Sequence, residues 1–181
     1  MSKILVDTID TRSGTTTLTL GSTNAGTIAL GSGDVQSNFL QPSFSAYNTQ
    51  NQQVPNTTWT KINFVSEFYD TDSAYSTADS RFTVPSGKAG KYFFMYNLRT
   101  EAAFEDEERF LAKLYKNGSP YEYSHSEARS SKSSMNMQKS LGIILDLSAG
   151  DYIEVYSYHD EGANVVYETD NCIFQGFRIG S

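Results

Sequence analysis

Residues 91–98 read KYFFMYNL, and every second residue from Tyr92 to Leu98 is aromatic or aliphatic. A repeat of two residues is typical of a β-strand, because successive side chains point to opposite faces of the sheet. Tyr92, Phe94, Tyr96 and Leu98 share one face, and Phe93 and Met95 share the other. Since both faces are apolar, we expect both to be covered, one by an opposing sheet and the other by a partner chain or a second layer.

Five further segments are also predicted to be strands. They are residues 80–85, 105–115, 141–147, 152–158 and 172–179. The second of these also has helical spacing, but Asn117-Gly118 directly after it is a strong hairpin signal and favours a strand with a loop before it. Ser-Ala-Gly-Asp at residues 148–151 predicts another turn. Many short strands between turns, without a convincing long helix, predict an all-β sandwich or jelly roll.

The first 42 residues have a different composition, rich in Thr, Ser and Gly with Phe39 as the one aromatic residue. TLTLGS at residues 17–22 recurs as TIALGS at residues 27–32. The copies present two narrow aliphatic rows, formed by Leu18, Leu20, Ile28 and Leu30. A short strand cannot bury such a row alone. We therefore expect residues 1–42 to be a β-rich assembly arm that precedes a head at residues 43–181, with a flexible linker as the alternative.

The net charge and the lengths of the apolar runs exclude some classes of binding partner. The chain has 14 basic and 21 acidic residues, a net charge of −7, whereas a general nucleic-acid binder needs a basic excess. No apolar run approaches the about 18 residues of a membrane-spanning segment, and the start lacks the apolar stretch of a signal peptide. We therefore expect neither nucleic-acid binding nor membrane insertion.

The one cysteine, Cys172, excludes an internal disulfide and has apolar neighbours that predict a buried thiol.

Motifs in the second region resemble those of C1q/TNF-like globular heads. The signature spacing of that family is matched by Phe64, Asp70, Tyr75 and Phe82, and its Gly-x-Tyr-x-Phe-x-aromatic motif by residues 90–96. Between these two matches the chain has two extra residues, which fall in the turn at residues 85–89. Later segments are similar to the family's Asn-Gly hairpin, Gly-Asp hairpin and closing Phe-x-Gly-Phe strand. The resemblance implies a trimeric C1q/TNF-like jelly roll, but such heads bind many different ligands.

The start of the arm, SKILVDTI at residues 2–9, resembles the starts of structural and tail-fibre proteins of marine bacteriophages. In those proteins, short β heads follow the N-terminal segment. The resemblance implies a virion role. Such a role would account for the missing signal peptide, the repeat in the arm and a binding head without disulfides.

Candidate catalytic and metal-binding groups are few. His125 lies in a Ser-rich loop, but the Gly-x-Ser-x-Gly elbow of hydrolases is absent, so we predict no catalytic residue. Asp70 and Asp72 offer the oxygen ligands that calcium prefers, yet the residues after them break the EF-hand pattern. We therefore expect a non-enzyme without a cofactor. The alternative is a calcium ion bound at Asp70 and Asp72, since some C1q-like heads hold calcium.

Tyrosines are the strongest candidates for ligand contact. Tyr152, Tyr156 and Tyr158 fall on one face of a strand, and Tyr121 and Tyr123 lie in or near a loop. A Tyr ring combines a flat apolar face with a polar tip, which suits the recognition of a glycan or a protein. The alternative is that the stripe packs against a neighbouring subunit.

The two resemblances together imply a phage virion structural protein, which is a tail fibre, a tail-associated protein or a capsid decoration. The arm is expected to anchor to other virion proteins after assembly in the host cytoplasm. The homotrimeric head is expected to project towards a receptor or glycan on the host surface. The alternative function is a secreted C1q/TNF-like protein that binds a receptor or a carbohydrate.

Overall fold

The protein is an all-β sandwich, as the strand pattern predicts. This computed structural model describes residues 41–101, 104–131, 134–169 and 171–180. The described residues form fourteen β-strands and one 3-10 turn, Glu122–Ser124. The strands are β1 (Ser43–Tyr47), β2 (Gln52–Val54), β3 (Thr60–Lys61), β4 (Ser66–Asp70), β5 (Tyr75–Ser76), β6 (Arg81–Thr83), β7 (Gly90–Arg99), β8 (Arg109–Lys116), β9 (Ser119–Pro120), β10 (Ser126–Arg129), β11 (Gln138–Leu147), β12 (Tyr152–His159), β13 (Val165–Tyr167) and β14 (Ile173–Gly180).

Two antiparallel sheets enclose the core. The five-stranded sheet has the order β11-β7-β14-β1-β4. The seven-stranded sheet has the order β10-β8-β12-β6-β5, with β3 beside β12 and β9 beside β8. Strands β2 and β13 form a separate small ladder. Because most neighbours in the two sheets are not consecutive in the chain, this order is that of a jelly roll rather than of a simple meander.

The predicted inner face of β7 lies at the centre of the core. Tyr92, Phe94, Tyr96 and Leu98 are completely buried, whereas Phe93 and Met95 on the other face are half-buried. The Phe94 ring contacts Phe82 of the opposing sheet at a centroid distance of 5.4 Å. Tyr96 buries its hydroxyl as well, and this hydroxyl donates a hydrogen bond of 3.0 Å to the carbonyl oxygen of Ala112. Burial raises the pKa of Tyr96 to about 12.

The Asn-Gly hairpin is confirmed. Asn117 and Gly118 have φ angles of 52° and 76°, the left-handed conformations that a tight two-residue hairpin turn requires. Strand β8 enters this turn and pairs with β9 on the far side. The preceding strand is also confirmed, since β8 begins at Arg109 after a loop and no helix forms there.

The turn at residues 148–151 is confirmed, but the expectation that it closes a hairpin is wrong. Strand β11 before the turn pairs with β7, whereas β12 after it pairs with β8 and β6. The turn therefore carries the chain from one sheet to the other. Local sequence predicts the change of direction at Gly150, but which sheet receives β12 depends on partners far away in the chain.

Several short strands are not predicted by the alternation of residues along the chain. Strand β1, with the sequence SFSAY, and β4, with the sequence SEFYD, have too few alternating residues to stand out. Both are nevertheless held in the five-stranded sheet, where β1 lies between β14 and β4. Leu18, Leu20, Ile28 and Leu30 of the arm lie outside the described residues. Among the residues that are described, no helix is long and apolar enough to cross a membrane.

Candidate ligand-binding and assembly faces

The outer face of the seven-stranded sheet carries the predicted tyrosine stripe. Tyr152, Tyr156 and Tyr158 all lie on the outward side of β12 and are half-buried. Lys113 of β8 and Lys61 of β3 flank Tyr156 in register. The neighbouring Tyr115 stacks on Tyr156 with 3.8 Å between the ring centroids. The stripe is therefore part of a packed layer in which aromatic rings alternate with cations.

The single tryptophan extends this layer. The Trp59 ring lies 5.6 Å from the Tyr158 ring. Nζ of Lys113 lies 4.5 Å from the centroid of Trp59 and 3.1 Å from a carboxylate oxygen of Glu122. Lys113 is only 7% exposed, so its charge is stabilised by the indole and by Glu122 rather than by full hydration.

Other charges on this sheet are also paired. Lys61 contacts the buried Glu154 at 3.2 Å, and Arg109 contacts Asp160 at 2.6 Å. Burial alone would raise the pKa of Asp160, but the backbone and side-chain hydrogen bonds from Arg109 together lower it. Because its charges are matched internally, this face needs no second protein chain to neutralise it.

The two loop tyrosines lie next to this layer. Tyr121 and Tyr123 flank Glu122 in the 3-10 turn, and their ring centroids are 5.9 Å apart. Tyr121 packs partly against the core, whereas Tyr123 is 86% exposed. The bond from Glu122 to Lys113 connects the turn to the sheet. The structure therefore places the five predicted tyrosines in two neighbouring groups.

Sequence reasoning missed Trp59, Tyr115 and Lys113 as members of this face. Tyr115 had a usable signal, because it follows the alternation of β8 and β8 was correctly identified. Trp59 had only its status as the single tryptophan. Its contact with Lys113 joins residues that are far apart in the chain, so local periodicity could not indicate it.

The outer face of the five-stranded sheet has a different character. Ile144, Phe93 and Phe177 occupy matching positions on β11, β7 and β14 and form an apolar row across the sheet. The Phe93 and Phe177 rings are 5.4 Å apart. Ile144 is 57% exposed and Phe177 is 49% exposed. No residue of this row is charged. On the seven-stranded sheet, by contrast, cations lie beside the aromatic rings.

A bulge in the edge strand of the same sheet exposes another ring, which lies four residues along β1 from the position opposite Phe177. Strand β4 pairs with β1 through an irregular register in which Phe68 is the additional residue. A bulge of this kind redirects a side chain. Phe68 stacks on Tyr47 at 4.2 Å and remains 66% exposed. We call the row of Ile144, Phe93 and Phe177 the apolar face; Phe68 lies outside it, beside Tyr47.

The predicted calcium ligands have structural roles in the loop after β4. Asp70 accepts hydrogen bonds from the backbone N–H groups of Tyr75, at 2.8 Å, and Asp72, at 3.3 Å. In the described part of the chain, no group of three or more His, Cys, Asp or Glu side chains is placed to hold a metal ion. Calcium binding at Asp70 and Asp72 stays a prediction.

The histidines and nearby serines do not form a nucleophile–base pair within the described residues. His125 is exposed beside Trp59, with 6.4 Å between the rings. The Ser124 hydroxyl points inward and donates to the carbonyl oxygen of Tyr121 at 2.6 Å. His159 is buried and its Nε2 lies 2.9 Å from the carbonyl oxygen of Val54. The Ser124 and His159 side chains therefore contact backbone carbonyl groups.

The cysteine thiol is buried, as its neighbours predict. Cys172 is 1% exposed, and its Sγ lies 3.5 Å from the carbonyl oxygen of Arg99. Burial raises the pKa of the thiol to about 11. A thiol with that pKa is protonated near neutral pH and is a poor nucleophile.

The topology and the motifs converge on one family. A model of the C1q domain matches residues 43–179. The chain belongs to the C1q domain family. Domains of this family generally form homotrimers, bind other molecules and are non-enzymatic. A comparison with curated proteins gave no match.

Solved structures share the fold of this C1q domain at low sequence identity. The globular domain of zebrafish complement 1qA is 20% identical, with a TM-score of 0.56 over 76% of this chain and 97% of that one. Murine APRIL is 10% identical, with a TM-score of 0.54 over 77% and 99%. Eiger TNF from S. frugiperda is 8% identical, with a TM-score of 0.58 over 78% and 94%.

Proposed function

We propose that this chain is a homotrimeric, non-enzymatic binding protein whose subunits associate through the five-stranded sheet. The observation that carries the proposal is the apolar row of Ile144, Phe93 and Phe177, which a single chain leaves open. Exposed apolar patches of this kind usually mark interfaces, because burying them releases free energy roughly in proportion to their area. The general tendency of C1q domains to form trimers supports the same assembly.

The aromatic layer of the seven-stranded sheet is then the proposed ligand-binding face. The two sheets lie on opposite sides of the sandwich, so association through one leaves the other open to solvent. Tyr123 and the half-exposed Trp59 would supply flat apolar surfaces beside polar groups, a combination suited to a glycan or a protein surface. On this proposal the tyrosine stripe contacts ligand rather than a neighbouring subunit.

Light scattering on the full chain tests the assembly. We expect three times the mass of one chain at micromolar concentration. Phe177→Asp should reduce this to a single folded chain, because a buried charge in an apolar interface is strongly unfavourable. Tyr123→Asp is the matched control on the opposite sheet and should retain the trimer mass. A wild-type monomer, or a Phe177→Asp protein that remains trimeric, would contradict the proposal.

We further propose that the trimer is a phage virion structural protein, anchored by residues 1–42 to other virion proteins. Support comes from the resemblance of SKILVDTI to the starts of phage structural proteins and from the repeated aliphatic rows of the arm. Rows as narrow as Leu18/Leu20 and Ile28/Leu30 suit strand pairing with a partner chain. The head would then project from the particle towards a receptor or glycan.

Deletion of residues 1–36 tests the anchor. We expect a soluble, folded head that no longer enters particles, measured by circular dichroism and by its content in purified virions. Leu20→Asp combined with Leu30→Asp should cause the same loss in the full chain. A head that still enters particles without the arm would refute the anchoring role. Wild-type protein secreted free of any particle would instead support the alternative of a secreted receptor- or carbohydrate-binding protein.

A further inference from the structure

A pocket that shares no residue with the aromatic layer lies beside the connection between β1 and β2. Its volume is about 270 Å³. The lining consists of one apolar side chain, Val65, and six amide side chains, which are Asn48, Gln50, Asn51, Gln52, Gln53 and Asn63. None of the lining residues that the structure describes is charged. The lining is therefore neutral and rich in hydrogen-bonding groups.

One of these amides is buried with an unused donor. Asn48 is 3% exposed, and its Oδ1 accepts the N–H of Gln50 at 3.2 Å. Its Nδ2 has no hydrogen-bond partner among the described residues. Flipping the amide would set NH₂ against the Gln50 N–H, so the contact with Gln50 fixes the orientation. A buried donor without an acceptor is unfavourable. Almost none of the Nδ2 surface is accessible, so a ligand oxygen satisfies this donor only after the side chains that cover it shift.

Hydrogen bonds of the Gln52 and Asn51 side chains fix the shape of the pocket. Gln52 Nε2 donates to the carbonyl oxygen of Lys61 at 2.7 Å, and Gln52 Oε1 accepts the N–H of Asn63 at 2.8 Å. These two bonds tie β2 to the end of β3 and to the segment between β3 and β4. Asn51 is held by Glu101 at 3.2 Å. The framework therefore exists before any ligand binds, which reduces the entropy lost on binding.

Three amides at the rim stay open to a ligand. Gln50, Gln53 and Asn63 are exposed, and their side chains make no hydrogen bond within the described part of the chain. Each amide presents two donor hydrogens and one acceptor oxygen. A hydroxyl group both donates and accepts, so a polyhydroxylated ligand complements such a set. Val65 is 41% exposed and offers an apolar surface to the C–H face of a ring.

Charge and size restrict the ligand further. An anionic ligand would find no cation in the lining, and Glu101 lies next to Asn51. Pockets for drug-sized ligands begin at about 300 Å³, so this one accommodates a single ring rather than an extended peptide. We infer that the amide pocket binds one neutral sugar residue, with Asn48 Nδ2 donating to a hydroxyl oxygen. This site goes beyond the aromatic face proposed above and depends on neither the trimer nor the virion role.

Saturation-transfer NMR on the full chain tests the inference, with D-glucose, D-galactose, D-mannose and N-acetylglucosamine as separate probes at millimolar concentration. We expect transfer to at least one sugar. Gln53→Ala combined with Asn63→Ala should weaken that binding at least tenfold, because both changed side chains are exposed and the fold does not depend on them. Asn164→Ala is the matched control, since Asn164 is an exposed amide outside the lining and should leave binding unchanged.

A variant of Asn48 tests the role of its buried N–H donor. Asn48→Asp keeps the acceptor for Gln50 and removes the free N–H, so it should also abolish sugar binding if it folds. The inference is overturned if none of the four sugars binds, which would leave water as the partner of Nδ2. It is equally overturned if binding survives Gln53→Ala/Asn63→Ala but is lost in Trp59→Ala, because the sugar would then lie on the aromatic face. Light scattering on the same samples separates either result from a failure of the trimer.

Discussion

The outer faces of the two sheets are both rich in aromatic residues, yet they differ in what surrounds each ring. On the five-stranded sheet, Phe93 lies between Ile144 and Phe177. On the seven-stranded sheet, Tyr156 lies between Lys61 and Lys113, and both cations have acidic partners. Among the described residues, the first face therefore has no covering partner, whereas the charges of the second face are already paired.

This difference shows that the role of an aromatic strand is indicated by the residues beside it in the sheet rather than by its own sequence. Strands β7 and β12 have similar alternation, and each exposes rings on its outer side. Only the register across the sheet distinguishes them. A ring among aliphatic neighbours gains free energy by meeting another chain, whereas a ring among paired charges would require those charges to be desolvated. We therefore expect the two faces to respond differently to substitution.

The largest effect should come from the core that both faces share. Phe94→Ala removes a completely buried ring that contacts both sheets, and we expect a loss of about 3–5 kcal/mol in the free energy of unfolding. Urea denaturation monitored by tryptophan fluorescence would measure it. Tyr123→Ala, at an exposed position, should change stability by about 0.5 kcal/mol or less. Equal losses in the two variants would contradict the proposed core.

The next largest effect should come from the apolar face. Phe93→Ala removes a half-buried ring against Phe177, and we expect a loss of about 2 kcal/mol. If the ring also contacts another subunit, the loss should depend on protein concentration, because association stabilises the folded state by mass action. Thermal melts over a hundredfold range of concentration would show this. Trp59→Ala, on the opposite sheet, should shift the melting temperature by the same amount at every concentration.

A smaller effect is expected from the charges of the seven-stranded sheet. Glu154→Gln removes the carboxylate that contacts Lys61, but Nζ of Lys61 still donates to the carbonyl oxygen of Asp79 at 2.9 Å. We expect a loss of about 1 kcal/mol and an unchanged mass by light scattering. A change in the oligomeric state would show that this face also takes part in assembly.

The smallest effect should be a pH dependence at the turn before β12. Hydrogen bonds from Lys116 and Asn117 lower the pKa of Asp151 to about 2, from an ordinary value of 3.8. The carboxylate therefore stabilises the fold fully above about pH 4, and this contribution is lost as the pH falls towards 2. Asp151→Asn should be less stable than wild type at pH 6, and the difference should shrink by pH 2.5. Asp146→Asn, at an exposed position, is the matched control.

Local sequence predicted the elements whose signals lie within a few residues. The alternation of residues 91–98 identified β7 and its two apolar faces, and Asn117-Gly118 identified the hairpin after β8. Such features follow from side-chain alternation and from the φ angles that a tight turn requires. The motifs at residues 64–96 and 174–179 then indicated the C1q fold.

Features that depend on pairing between distant segments were not predictable. Trp59 meets Lys113 only because β3 and β8 both pair with β12. The exposure of Phe68 depends on a bulge opposite β1, and no property of SEFYD indicates a bulge. The amide pocket had a visible signal in NTQNQQ at residues 48–53, but its unused donor appears only after Asn48 is buried.

The most direct test of the central claim compares the two faces in one unmodified sample. Hydroxyl-radical footprinting of the full chain, with each rate normalised to that of the denatured chain, reports the exposure of individual side chains. In a single chain, Phe177 is 49% exposed and Tyr123 is 86% exposed. We predict that Tyr123 reacts at nearly its denatured rate and that Phe177 reacts several-fold more slowly than half-exposure allows. Labelling of both residues in proportion to their single-chain exposure would contradict assembly through the five-stranded sheet.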